Sequence, residues 1–493
     1  MHARVIAPIL LPLATLLFQG CDRGTIPTES SPQKGVVALA VGTHSPDHHV
    51  VVFASAQVPG TFEEQVAAFG GVVERVVGAA GLAVVSGLAE DALGALRAES
   101  DVLSVEPDVV LEPAVELTLG ADASEHAEVG IESHGEPMGA AYFSRQWNLR
   151  AIGADAAWAQ GHLGSPEVVV GILDSGIDYL HPELEGRVDL SRSISLVPAL
   201  DAQVATLFPG RHPVTDLNSH GTAMAGLIVS NAHLLAGVSQ RTTVFGVKVH
   251  DGIDGGLVST FIAGIVYAVE QGADVIHLSG VGQFSKSAHP GLVAAVNRAV
   301  NLANRSGAVL VAPAGNTGAA LNVVGGPGDW DHDEDRFGFC VAPHVICVSA
   351  TAPTAAASLD GPWTDVDAVA PYSNFGHSAI AVAAPGGAPL QRLGPAGGVW
   401  VLCALTTQVQ VPNVQFPCRR GAGLLVTSSS GTSWSAGTTS GLAALLVAQI
   451  GKGKPAQIRT RILQTADDIG EPGTDARYGT GRINVGRALG AVP

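Results

Sequence analysis

"SSSGTSWSAGTTSGLAALL", residues 428–446, decides how this chain is read. From Ser428 to Gly441 every residue is small except Trp434, and the stretch runs without a Pro or a charge into the apolar segment GLAALLVAQI, 441–450. A Ser/Gly/Thr run on its own reads as a flexible linker. One that leads straight into an apolar helical segment instead puts Ser433 at a helix start, where first-turn N–H groups have no intrahelical partner. What such a serine does depends on which groups the rest of the fold brings to it.

From about residue 145 onward, strand-like and helix-like segments alternate. EVVVGILD (167–174), TTVFGVKVH (242–250), DVIHLS (274–279), AVLVAPAG (308–315), VICVSAT (345–351) and IAVAAPG (380–386) are nearly continuous apolar runs. Strands buried on both faces of a parallel sheet have this texture. Helical candidates lie between them at 220–231, 257–271 and 290–306, and after the last strand at 433–450 and 455–468. The expected fold is α/β, a doubly wound and mostly parallel sheet with helices on both faces. Ligands of such sheets bind outside the carboxyl ends of the strands.

Four of those ends carry chemistry. DSGID puts Asp174 at the end of one strand, TDLNSHGTAMAGL puts His220 where an apolar helix begins, and GTSWSAG puts Ser433 at the start of another. AVLVAPAG is followed by Asn316. Nucleophilic acyl transfer needs a hydroxyl, a base to take its proton, and a carboxylate to fix and charge-stabilise that base. A first-turn N–H of Ser433 and the amide of Asn316 are the donors that a developing oxyanion requires.

DSGID, NSHGT, APAGN and GTSWSA, in this order, resemble the signature segments of the subtilisin-like serine peptidases, the subtilases. The resemblance covers about residues 145–490 and includes YGTGRINVGRAL near the end. It implies that Asp174 orients His220, that His220 is general base and then acid, that Ser433 attacks, and that Asn316 and the Ser433 N–H hold the oxyanion. It also implies that Gly255, Gly256, Ser279 and Gly280 flank the cleft and pair with the substrate backbone. The chemistry would need no cofactor, and structural calcium is expected of the family, with its ligands unknown here. Four departures stand out. Ser435, Ala436 and Gly437 follow the serine motif where Ala, Ser and Pro are usual, Ala223 replaces a His, and His277 stands where Asn is usual. Gly280 and Val281 alter the cleft wall. Gly437 is expected to loosen the helix start. Other serine hydrolases fit less well. No G-x-S-x-G occurs, and His220 stands where a sedolisin would carry Glu.

Residues 36–112 form a separate pattern. HHVVVFA, FEEQVAAFG, VVERVVGAAGLAVVSG, AEDALGALRAES and VLSVEPDVVLE read as β, α, β-β, α, β, the plan of a small ferredoxin-like domain. It resembles the subtilase propeptide, which implies an intramolecular chaperone and inhibitor. Residues 113–144 read as an exposed connector with the maturation site, and 145–493 as the peptidase domain. Residues 1–21 read as a secretory signal, with Arg4 ahead of an apolar run from Val5 to Phe18, followed by a 22–35 tether. The Gly20-Cys21 junction is similar to a lipobox, so Cys21 is a lipidation candidate. The product is expected outside the cytoplasm, secreted or lipid-anchored to the envelope, and any membrane contact would run through that anchor.

Composition agrees with an exported globular enzyme. At 493 residues, 46% hydrophobic and 14% charged, the chain can bury a large core. A formal charge of -18 argues against nucleic acid as a partner. The partners expected are protein or peptide substrates and the chain's own propeptide. Without Cys21, four cysteines remain, Cys340, Cys347, Cys403 and Cys418, and three pairings are open to them. The local bridges Cys340–Cys347 and Cys403–Cys418 are the ones expected. The acidic insert GDWDHDEDRFG, from Gly328, alternates Asp331, Asp333 and Asp335 but fails as an EF-hand, with Arg336 at the sixth position. One of its carboxylates is expected to favour Lys or Arg substrates. The competing function class is a degenerate subtilase kept as an envelope binding or scaffolding module.

Overall fold

The structure is a computed structural model that describes residues 44–111, 135–251, 255–280, 282–321, 336–408, 418 and 425–492. The signal segment, Cys21, the tether, most of the connector, Val281 and the acidic insert up to Asp335 lie outside the described residues.

The N-terminal pattern folds as read. Strands β1 (His44–Phe53), β2 (Val72–Val77), β3 (Leu82–Ser86) and β4 (Val102–Leu111) alternate with helices α1 (Phe62–Ala68) and α2 (Glu90–Arg97). They form an antiparallel sheet in the order β2-β3-β1-β4. Successive strand side chains point to opposite faces, and here both faces are used. Val51, Phe53, Ala83 and Val85 meet Phe62, Val66, Leu93 and Leu96 of the two helices. Val50, Val52, Leu82 and Val84 turn the other way, into the core of the larger unit. That second interface explains why HHVVVFA lacks a polar face.

The larger unit is a mainly parallel eight-stranded sheet. Its longer parallel strands are β5 (Val169–Asp174), β6 (Thr243–Lys248), β8 (Val275–Leu278), β9 (Val309–Pro313), β10 (Val345–Ala352) and β11 (Val382–Pro385), with the two-residue Ile194–Ser195 parallel to β6 at the edge, and a two-residue strand β7 (Gly256–Leu257) lies apart from it. β5 pairs with β6 on one side and β8 on the other, and the order continues β8-β9-β10-β11. Chain order therefore reverses at β5, which makes its carboxyl end the switch point where a ligand crevice opens.

Helices cover both faces. Val170 and Ile172 of β5 pack with α3 (His220–Val229), α6 (Thr432–Ile450) and α7 (Pro455–Gln464). Val169 and Leu173 pack with α4 (Val258–Glu270) and α5 (Pro290–Arg305). Helix α6 is buried from Thr432 to Val447, so it has no polar face to show as periodicity. Gly437 does not interrupt it. A Cβ there would meet Leu227 and Met224 of α3 at 3.1 and 3.2 Å, and one on Gly441 would strike Val238 at 2.6 Å. The small residues of α6 thus allow close approach of its neighbours. Disulfides join Cys340 to Cys347 and Cys403 to Cys418.

β4 runs on past its pairing with β1 and takes β7 as a fifth strand at the edge of its sheet, Val110 opposite Leu257 and Leu111 opposite Gly256. On the way two carboxylates reach helix starts of the larger unit. Glu106 accepts from Gly291 N (2.7 Å) and Leu292 N (3.1 Å) of α5, and Asp108 accepts from Ser259 Oγ (2.5 Å) and N (3.3 Å) of α4. Arg298 of α5 returns the contact, donating to the carbonyls of Phe53 (2.8 Å) and Ala54 (2.9 Å).

Candidate active site

Asp174 ends β5, fully buried. The chain leaves it through Gly176 at φ 112°, where a Cβ would stand 2.3 Å from the Val214 carbonyl oxygen, so glycine is required there. His220 opens α3, preceded by Ser219 at φ 94°, a left-handed conformation that non-glycine residues adopt at a cost. Gly221 follows it, and a Cβ at that position would lie 2.0 Å from the Gly176 carbonyl oxygen. The start of α3 and the exit of β5 are therefore in backbone contact.

That contact sets the side-chain geometry. His220 Nδ1 lies 2.8 Å from Asp174 Oδ2 and 2.9 Å from Oδ1. Asp174 also accepts from Ser175 N (2.6 Å) and from Ser279 Oγ. Burial by itself would raise the Asp174 pKa. The charge and hydrogen bond of His220, with smaller help from His250 and Ser279, outweigh it and hold the carboxyl well below its ordinary range. Asp174 is thus a permanent anion facing one side of the imidazole. Trp434, also fully buried, lies tilted against the ring with centroids 5.4 Å apart.

Ser433 is the second residue of α6, so its N–H has no intrahelical acceptor. Its Oγ is buried and makes no hydrogen bond among the described residues. Asn316 is oriented by Thr432: its Oδ1 accepts from Thr432 N and Oγ1, both at 2.8 Å. Its Nδ2 is left buried and without an acceptor among the described residues. An unsatisfied buried donor is costly unless a ligand atom supplies the acceptor.

The cleft residues fall into two groups. Gly256 carries the ladder to Leu111, and Gly255 precedes it at φ 89°. Gly280 is pressed between aromatics, a Cβ there meeting Phe261 at 3.1 Å and Phe339 at 3.4 Å. Ser279 spends its hydroxyl on Asp174 and its N–H on Leu173 O (3.1 Å). His277 accounts for its departure from the family pattern by facing α6, with Nδ1 3.0 Å from Ser440 Oγ, and burial lowers its pKa to about 4.

Three neighbours escaped the sequence reading. His250, the last letter of TTVFGVKVH, is buried with Nε2 3.9 Å from Asp174 Oδ1 and its ring against Phe261. Its place just beyond a strand that ends beside Asp174 was the available signal. The other two, Asp216 and Ser175, lie inside the quoted motifs TDLNSHGT and DSGID. Among the described residues no group of three or more metal-ligating side chains is present.

A model of the Subtilase family matches residues 165–481, a span that holds Asp174, His220, Asn316 and Ser433. The chain belongs to the subtilase family. It is 29% identical over 346 residues to a thermophilic serine proteinase of Bacillus sp. (strain AK1), covering 70% of this chain and 66%, just under two-thirds, of that one. It is 28% identical over 343 residues to Subtilisin DY of Bacillus licheniformis, covering 69% of this chain and 96% of that one. Among solved structures, the epidermin leader peptide processing serine protease of Staphylococcus aureus superposes with a TM-score of 0.66 at 20% identity, over 90% of this chain and 97% of that one. At that identity the likeness is one of fold. As a subtilase the chain is of the serine endopeptidase class.

Proposed function

We propose that this subtilase is an exported serine endopeptidase, made as a self-processing zymogen, that cleaves peptide bonds through Asp174, His220 and Ser433. The observation that carries the reading is the 2.8 Å bond of a buried, anionic Asp174 to His220 Nδ1, which commits the other ring nitrogen to proton transfer. His220 Nε2 takes the Ser433 hydroxyl proton as Oγ attacks the scissile carbonyl carbon. The oxyanion accepts from Asn316 Nδ2 and the Ser433 N–H, and Asp174 balances the imidazolium. His220 then returns the proton to the leaving amine, and water hydrolyses the acyl-enzyme by the same route. No cofactor takes part in these steps.

Gly255, Gly256, Ser279 and Gly280 are assigned to the walls along which a substrate strand pairs. Residues 36–112 are assigned as the inhibitor domain, supported by the Leu111–Gly256 ladder, which occupies such a wall. Maturation then falls within 113–144. Two disulfides in the peptidase domain agree with an oxidising compartment, and Cys21 remains the candidate lipid anchor. Expressing the parent chain and Ser433→Ala side by side tests the zymogen reading. The parent is expected to release an N-terminal fragment ending between residues 113 and 144, while the variant stays whole. Equal processing in both would contradict it.

A further inference from the structure

Asp216 lies four residues before His220 and is fully buried. Its Oδ1 accepts from Asn218 N (2.9 Å), Ser219 N (3.0 Å) and Ser175 Oγ (3.0 Å). Its Oδ2 accepts from Thr222 N (3.0 Å) and Thr222 Oγ1 (2.6 Å). The bonded backbone groups bracket His220 on both sides. A carboxylate is the side chain that can accept on both oxygens at once without presenting a donor. Holding a turn by its N–H groups is also what allows Ser219 to keep φ 94°.

The Ser175 bond extends the hold to the other half of the pair. Ser175 Oγ donates to Asp216 and accepts from Gly221 N at 3.1 Å, while Ser175 N donates to Asp174 Oδ1 at 2.6 Å. A short chain of hydrogen bonds therefore runs from Asp174 through Ser175 to Asp216 and the residues on either side of His220. The buried Lys248, level with Asp174 in the β5–β6 ladder, braces the same turn by donating to Thr215 O at 2.6 Å. From the opposite side Thr406 Oγ1 donates to the Asp216 carbonyl oxygen, and Ser219 Oγ accepts from Ala404 N at 3.0 Å, next to the Cys403–Cys418 bridge.

We infer that Asp216 is a positioning residue for the reaction, fixing the turn that carries His220 to the residue that follows Asp174. This rests on the reading of Asp174, His220 and Ser433 as the triad. The charged and titratable groups around Asp216 are Lys248, Asp178, His250 and the His220 and Asp174 pair itself. Substituting it by Asn turns one acceptor oxygen into an NH2 group facing N–H or O–H donors, which frees the turn and lets the imidazole drift from Asp174. Misplacement on the scale of 1 Å costs roughly 100-fold in rate.

The test is steady-state kinetics with pH profiles on parent, Asp216→Asn and Ser175→Ala, with Ser433→Ala as reference. Asp216→Asn is expected to lower kcat about 10- to 100-fold with KM within about twofold. The acid limb of kcat is expected to move to lower pH, because an imidazole held less firmly by Asp174 gives up its proton more readily. Ser175→Ala keeps the four bonds of Asp216 to residues 218, 219 and 222. It removes the Oγ that ties Asp216 and Gly221 N to the residue after Asp174, leaves the backbone bond of Ser175 N to Asp174 in place, and is expected to shift both quantities in the same direction by less. It therefore decides the matter even where Asp216→Asn does not fold. A folded Asp216→Asn or Ser175→Ala with parental kcat and an unmoved acid limb would overturn the inference while leaving the triad standing. Parental activity in Ser433→Ala would instead overturn the triad itself.

Discussion

Two buried histidines outside the proposed triad make the residue scale measurable. His181 is buried with Nδ1 accepting from Glu183 N (3.1 Å) and Nε2 3.3 Å from Leu425 O, a pattern that only the neutral ring fits. Burial lowers its pKa to about 4, and does the same to His277 beneath α6. In the unfolded chain both titrate near about 6.5. The unfolded state therefore binds more protons between these values, so stability is complete above about 6.5 and falls as pH drops towards about 4. The two rings together contribute a slope of up to about 2.7 kcal/mol per pH unit in that window. Urea unfolding from pH 4 to 8 in a Ser433→Ala background, which removes the proposed nucleophile, checks this. His277→Asn is expected to flatten the slope by about half, and an unchanged slope would show that His277 is not held neutral.

At the scale of elements, the interface between the N-terminal sheet and the larger unit depends on β4. Its two carboxylates sit at the starts of α5 and α4, where free N–H groups and the helix dipole favour an anion. Just beyond them, Val109 and Leu111 enter the shared core. Glu106→Gln keeps the shape of the side chain but removes its charge from Gly291 N and Leu292 N. A charge-assisted bond of this kind is worth about 1.5–3 kcal/mol. With Ser433→Ala preventing processing, the unfolding midpoint of the full chain is expected to fall by a corresponding amount, and no change would mean that the cap carries no docking energy. The strands and helices of both units were legible because their patterning is strong, but this interface was not. VVVF in β1 reads as a buried strand without telling what buries each face, and SVEPD reads as part of a strand without naming the helices its carboxylates meet.

At the scale of the whole molecule, segments scattered over more than 250 residues converge because the strand order reverses at β5. Asp174, His220, Asn316 and Ser433 could be picked out in the sequence, since each lies in a short motif at an element end. The second rank could not: the roles of Asp216 and Ser175 lie in hydrogen bonds between loops, and that of His250 in where its strand ends beside Asp174. The central claim is that this convergence makes Ser433 a nucleophile. It is tested most directly by treating the folded enzyme with a fluorophosphonate and locating the adduct by peptide mass spectrometry. A single adduct on Ser433, abolished in Ser433→Ala and much slowed in His220→Ala, is the predicted result. A folded, processed chain that takes up no label, or takes it elsewhere than Ser433, would contradict the account.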